Sequence, residues 1–157
     1  MNNKQLLQQY VDTGVQLPEY QVRSLPPDLL KTYLRKRLMV TEDDNSNELS
    51  DYEFELLTQE QRFQYAMKRN ISDKQFELLT PVDRFQYAMK RVYTMKRVKK
   101  FSGISDKQFE LLTPVDRFQY AMKRMGRGYP LNNEQFELLS PDQQKIFKDK
   151  GGVIIVW

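Results

Sequence analysis

Residues 71–91 read ISDKQFELLTPVDRFQYAMKR, and residues 104–124 repeat that string without a change. A third copy, LSDYEFELLTQEQRFQYAMKR, fills 49–69, and a degraded one opens LNNEQFELLSPDQQKIF at Leu131. The most divergent, LPEYQVRSLPPDLLKTYLRKR, fills 17–37 and keeps the leading Leu, the inner Leu, the turn Pro, a Tyr and the closing Lys-Arg. Five units of about 21 residues therefore occupy most of the chain, the signature of a repeat architecture. A smaller duplication, YAMKRVYTMKRV, is nested at 87–98.

Each unit reads as two short helices. Ser72 or Asp73 is placed to cap the first, QFELL, in which Phe76 and Leu79 lie one turn apart. Thr80 then stands as the N-cap of the second, with Pro81 at the first helical position, where its missing N–H is not needed. Asp83 completes a start resembling a capping box, and Lys90 and Arg91 close the helix beside its negative end. The spacing predicts a helical hairpin, repeated.

The second helices carry two faces. Tyr33, Tyr65, Tyr87, Tyr120 and Phe147 share one equivalent position, expected to anchor each unit on its own first helix. On the other face, Val82, Phe85 and Met89 recur as Val115, Phe118 and Met122, and as Glu60, Phe63 and Met67. The outer units have Asp28, Lys31 and Arg35, or Asp142, Lys145 and Asp149, at those places. An apolar inner face that turns charged at both ends predicts a stacked array with solvated caps. Phe63, Phe85, Met89, Phe118 and Met122 either bury between neighbouring repeats or line a groove for a partner helix.

The unequal spacing of Leu17, Leu49, Ile71, Ile104 and Leu131 favours an irregular all-α array over a smooth superhelix. The expected organisation is an N-terminal helix with the divergent first repeat over 1–40 and an acidic linker over 41–48. Four tandem repeats follow over 49–150, then an apolar extended tail, GGVIIVW, over 151–157, which docks on the array or pairs as a lone strand. Residues 92–103 read either as a longer helix or as a basic loop.

Composition excludes much chemistry. The chain of 157 residues has no Cys and no His, so disulfides, ordinary zinc sites and catalytic groups that need imidazole or thiolate are absent. Asp43, Asn45, Asn47 and Asp51 approximate a calcium loop, but Glu48 stands where Gly is required and Phe54 where the bidentate Glu belongs. Neither a signal peptide nor the ~20 apolar residues of a membrane span is legible. The expectation is a non-enzymatic, cytoplasmic protein without cofactor or metal.

The net charge of +4 is clustered. Lys90, Arg91, Lys96, Arg97, Lys99 and Lys100 form the densest run, followed by Lys123 and Arg124. Stacked units would gather these ends into a basic rim complementary to phosphates, with Arg84 and Arg117 on the same helical stripe as secondary candidates. That pattern predicts an RNA, or an RNA-containing complex, as the partner. A protein-only adaptor using the Phe/Met face is the alternative.

The units LPEYQ…LPPDLLKTYLRKR and LSDYEFELL…RFQYAMKR resemble small basic repeat proteins of T4-like bacteriophages over about residues 17–150. The shared pattern is an aromatic near the unit start, an internal Leu-Thr/Pro turn, and a Tyr followed by basic residues. The resemblance implies a phage accessory protein, in the manner of the ToxN-inhibiting-factor-like counter-defence proteins. On that reading it is an RNA-associated inhibitor that neutralises a host toxin or nuclease in the host-cell cytoplasm.

Overall fold

A computed structural model describes residues 3–43, 48–93 and 103–156. Most of the described residues are helical and the sheet is two residues long per strand, which makes the fold all-α with a short extended tail. No described helix is long and apolar enough to cross a membrane.

The chain forms two compact units, Met1–Tyr65 and Ala66–Trp157. In the first, α1 (Asn3–Thr13) packs on α3 (Pro27–Asp43), which pairs with the short α2 (Glu19–Arg23) as the divergent hairpin. Then come α4 (Asp51–Glu55) and α5 (Gln59–Lys68), which runs through the division between the units. The second holds three further hairpins, α6/α7 (Asp73–Glu77, Pro81–Tyr93), α8/α9 (Asp106–Glu110, Pro114–Gly126) and α10/α11 (Asn133–Glu137, Pro141–Asp149). One expected boundary moves. The acidic stretch from residue 41 is not a linker at its start, because α3 continues to Asp43 with Thr41 buried and its hydroxyl donating to the Leu38 carbonyl at 2.9 Å. The division between the two units falls inside α5, the second helix of the repeat that begins at Leu49.

A five-residue helix is unstable alone, so each first helix depends on its ends and its packing. Ser50, Ser72, Ser105 and Asn132 each form a full capping box with the residue three positions on, Glu53, Gln75, Gln108 or Gln135. In the second helices Thr80 accepts from the Asp83 amide at 3.2 Å and Thr113 from the Asp116 amide at 3.1 Å. The caps also set the stacking. Ser105 Oγ donates to Asp73 at 2.6 Å and Asn132 Nδ2 to Asp106 at 2.7 Å, so α6, α8 and α10 begin on one side and run parallel. Helix α7 packs on α9, and α9 on α11.

The shared aromatic does more than pack. Phe54–Tyr65, Phe76–Tyr87 and Phe109–Tyr120 are tilted ring pairs with centroids 5.8–5.9 Å apart inside single hairpins. In addition, the hydroxyls of Tyr33, Tyr65, Tyr87 and Tyr120 accept the backbone N–H of Leu17, Leu49, Ile71 and Ile104 at 2.9–3.2 Å. Those leading residues are buried, so the amide has no water to turn to.

The last hairpin has Phe147 in the Tyr position, without a hydroxyl. There the amide of the fully buried Leu131 donates to the Val153 carbonyl at 3.0 Å, and β1 (Leu131–Asn132) pairs in parallel with β2 (Ile154–Ile155). The tail crosses the Phe147 ring at Gly152, where a Cβ would overlap the ring. It therefore docks as a lone strand, and it supplies the acceptor that a tyrosine would have provided.

Replacing Tyr120 by Phe leaves the Ile104 amide buried and unsatisfied, and is expected to lower stability by about 1–3 kcal/mol in urea unfolding. Gly152→Ala should detach the tail, read as faster amide exchange at Leu131 with the exchange at Ile104 unchanged.

Candidate nucleic-acid interface

The second helices end in Lys-Arg, where cations are favoured by the helix dipole. In the second unit α7 and α9 pack side by side, and Gln143 Nε2 reaches the Pro114 carbonyl at 3.4 Å, which places the starts of α9 and α11 together. Arg84 Nη1 reaches the Leu111 carbonyl at 3.5 Å, so α7 and α9 also start together and their basic ends lie towards one side. Lys90 is exposed and its ammonium donates to the Met67 carbonyl at the end of α5. Lys123 is half-buried. A cleft of about 350 Å³ lies among Ala66–Arg69, Tyr87, Lys90 and Arg91, with four cations among the described residues on its walls.

Three expected phosphate ligands are part of the framework instead. Arg84 Nε donates to the Phe76 carbonyl at 3.2 Å, and Arg117 Nε to the Phe109 carbonyl at 3.3 Å, with their outer nitrogens on Glu77 and Glu110. Each thereby satisfies the open carbonyls at the end of its own first helix. Arg62 does the same on Phe54 and Glu55, and Gln144 replaces it on Phe136 and Leu139. Arg124 is 2% exposed, with Nε and Nη2 on the Pro130 carbonyl at 3.1 and 2.8 Å and its plane beside the Tyr120 and Tyr129 rings. The spacing that suggested a cationic stripe is the spacing of a carbonyl clamp. Lys96, Arg97, Lys99 and Lys100 lie outside the described residues.

On the alternative face, Phe63, Phe85, Met89, Phe118 and Met122 are all half-buried. Val82 and Val115 on the same stripe are 64% and 61% exposed, so the face is neither sealed between repeats nor laid open as a deep groove. Asp28, Lys31, Arg35, Asp142, Lys145 and Asp149 are exposed, as solvated caps should be.

One constellation was not anticipated. Arg37 and Glu53 are both fully buried, with Arg37 Nε 2.8 Å from Glu53 Oε2. Tyr33 donates its hydroxyl proton to the same oxygen at 2.6 Å, and Arg37 also reaches the Gly14 and Glu48 carbonyls. Burial, then the bond to Glu53, raises the Tyr33 phenol well above its ordinary value, so it remains a donor. The signal was present in the alignment of repeats: Glu53 alone has a carboxylate where Gln75, Gln108 and Gln135 have an amide.

The fold and the basic helix ends define a helical-hairpin repeat protein. Comparison with family models, with curated proteins and with solved structures finds no match to the chain.

Glu53→Gln removes the charge that compensates Arg37 in a dry site and should destabilise the chain by about 3–5 kcal/mol. In a double-mutant cycle with Arg37→Met, the pair should show a coupling far above the ~0–1 kcal/mol of surface pairs.

Proposed function

We propose that the chain is a non-enzymatic, RNA-associated binding protein, an inhibitor or accessory factor that acts through its basic helix ends in a cytoplasm. The observation that carries this reading is the cleft at the ends of α5 and α7, where Lys68, Arg69, Lys90 and Arg91 meet. Lys123 at the end of the adjacent α9 adds to the same positive field. The resemblance to phage repeat proteins makes an RNA-containing host toxin or nuclease complex the natural target of counter-defence.

A second reading rests on Val82 and Val115. Two exposed β-branched residues beside half-buried Phe85 and Phe118 form an apolar strip suited to a protein partner, with no nucleic acid involved.

Salt separates the two. Binding of single-stranded RNA should weaken linearly in log–log form, and Gln at Lys96, Arg97, Lys99 and Lys100 together should lower the slope by about 0.7 for each phosphate no longer neutralised. Copurification followed by nuclease should release the partner. If Val82→Ser and Val115→Ser abolish partner capture while the four Gln leave it intact, the protein-only reading stands and the RNA reading falls.

A further inference from the structure

The three hairpins of the second unit make their turns from first to second helix on one side. Arg84 Nη1 reaches the Leu111 carbonyl at 3.5 Å and Gln143 Nε2 the Pro114 carbonyl at 3.4 Å, which holds those turns next to one another. The ends of α6, α8 and α10 and the starts of α7, α9 and α11 therefore form one rim. Over residues 77–84, 110–117 and 137–144 this rim has six carboxylates and two cations, so it is acidic in a chain whose net charge is +4. The two cations, Arg84 and Arg117, are held on helix-end carbonyls.

Half of the carboxylates follow from the helices. Asp83, Asp116 and Asp142 lie in first turns, where negative charge is favoured. Glu77, Glu110 and Glu137 do not follow. Each is the last residue of its helix, at the end where a carboxylate is disfavoured, and each is exposed. None forms an ion pair with a described residue; Glu137 accepts an exposed bond from Asn133 at 3.3 Å.

Two valines stand among these acids. Val82 and Val115 are the second residues of α7 and α9 and are 64% and 61% exposed. A β-branched residue there gains neither helix propensity nor burial. The equivalent residue of the last hairpin is Asp142, so the apolar pair is confined to the neighbouring α7 and α9. Packed helices stand about 8–10 Å apart. Two positions seven residues apart on one helix are separated by about 10.5 Å. A helix laid across the starts of α7 and α9 thus sets one apolar side chain on each valine, with the half-buried Phe85 and Phe118 one turn further along. Charge selects that helix: cations flanking its apolar stripe meet the glutamates, whereas carboxylates there would be repelled.

We infer that this rim is a docking surface for a basic amphipathic helix of a partner protein, with Val82 and Val115 as apolar anchors and Glu77, Glu110 and Glu137 as charge partners. It rests on the second reading above, and adds to it the chemistry of the partner.

A helical peptide of leucine and lysine is the probe, with a leucine–glutamate and a lysine–serine peptide as controls. The probe should bind saturably and shift the Val82 and Val115 amides in an NMR titration, and neither control should. Val82→Ser with Val115→Ser should weaken it at least about tenfold. Glu77→Gln, Glu110→Gln and Glu137→Gln together should weaken it at least about twofold at low ionic strength and not at high salt. All five positions are exposed, so neither set should lower the melting temperature. A Gln set that melts lower assigns the glutamates to the fold and overturns the inference. If the leucine–glutamate peptide binds as well as the probe and depends on the valines, the apolar strip of the second reading stands and the cationic partner falls. Equal binding of the lysine–serine peptide removes the anchors and overturns the surface. A probe that does not bind, or that ignores the valines, overturns the surface and the second reading together.

Discussion

Each hairpin has to bury the residue that leads into its first helix, and that residue carries a backbone amide with no place in the helix. Four of the five repeats meet this with a tyrosine hydroxyl delivered from the second helix, sixteen residues on. The bond ties the entry of the hairpin to its far end, while the ring fills the space between the two helices. Helices of five residues persist only because this closure and the capping boxes fix both ends of the segment. Where the tyrosine becomes Phe147, the chain continues far enough to bring the Val153 carbonyl to the same amide. One unsatisfied N–H therefore explains the aromatic position, the capping order and the short strand at the end of the chain.

The closing arginine follows from the same geometry. One turn after the tyrosine, it points into the seam towards the next hairpin and requires an acceptor there. Glu53 provides a carboxylate, Pro130 a carbonyl, and Gln108 neither. Identical repeats thus acquire different surroundings from the segments that follow them: both precede a Gln at the Glu53 position, and Arg124 finds its acceptor at Pro130, between the two hairpins. The 71–91 and 104–124 units share every residue, yet Arg124 is sealed and Arg91 borders a cleft.

The basic character of the chain divides accordingly. Arg37, Arg84, Arg117 and Arg124 neutralise helix-end carbonyls or a buried carboxylate and contribute little to an outer field. The positive surface of the second unit is carried mainly by lysines, together with the cations at the cleft. Electrostatic attraction in such a protein is concentrated at particular repeats and is not spread evenly along the array.

Local spacing of apolar, capping and charged residues within some twenty positions is enough to specify the hairpin and its repetition. The same spacing specifies the Ser and Thr caps, the Pro at the start of the second helix, the charged outer faces and the extended tail. Three features needed the packed hairpins: Arg84 and Arg117 clamping carbonyls, Arg37 pairing with Glu53, and α3 running on to Asp43 beyond the expected boundary. A guanidinium at a given helical position has the same spacing whether it faces solvent or a carbonyl. What separates the two is the neighbouring hairpin, whose approach is set by burial and hydrogen bonding across the seam and leaves no periodic trace in the chain.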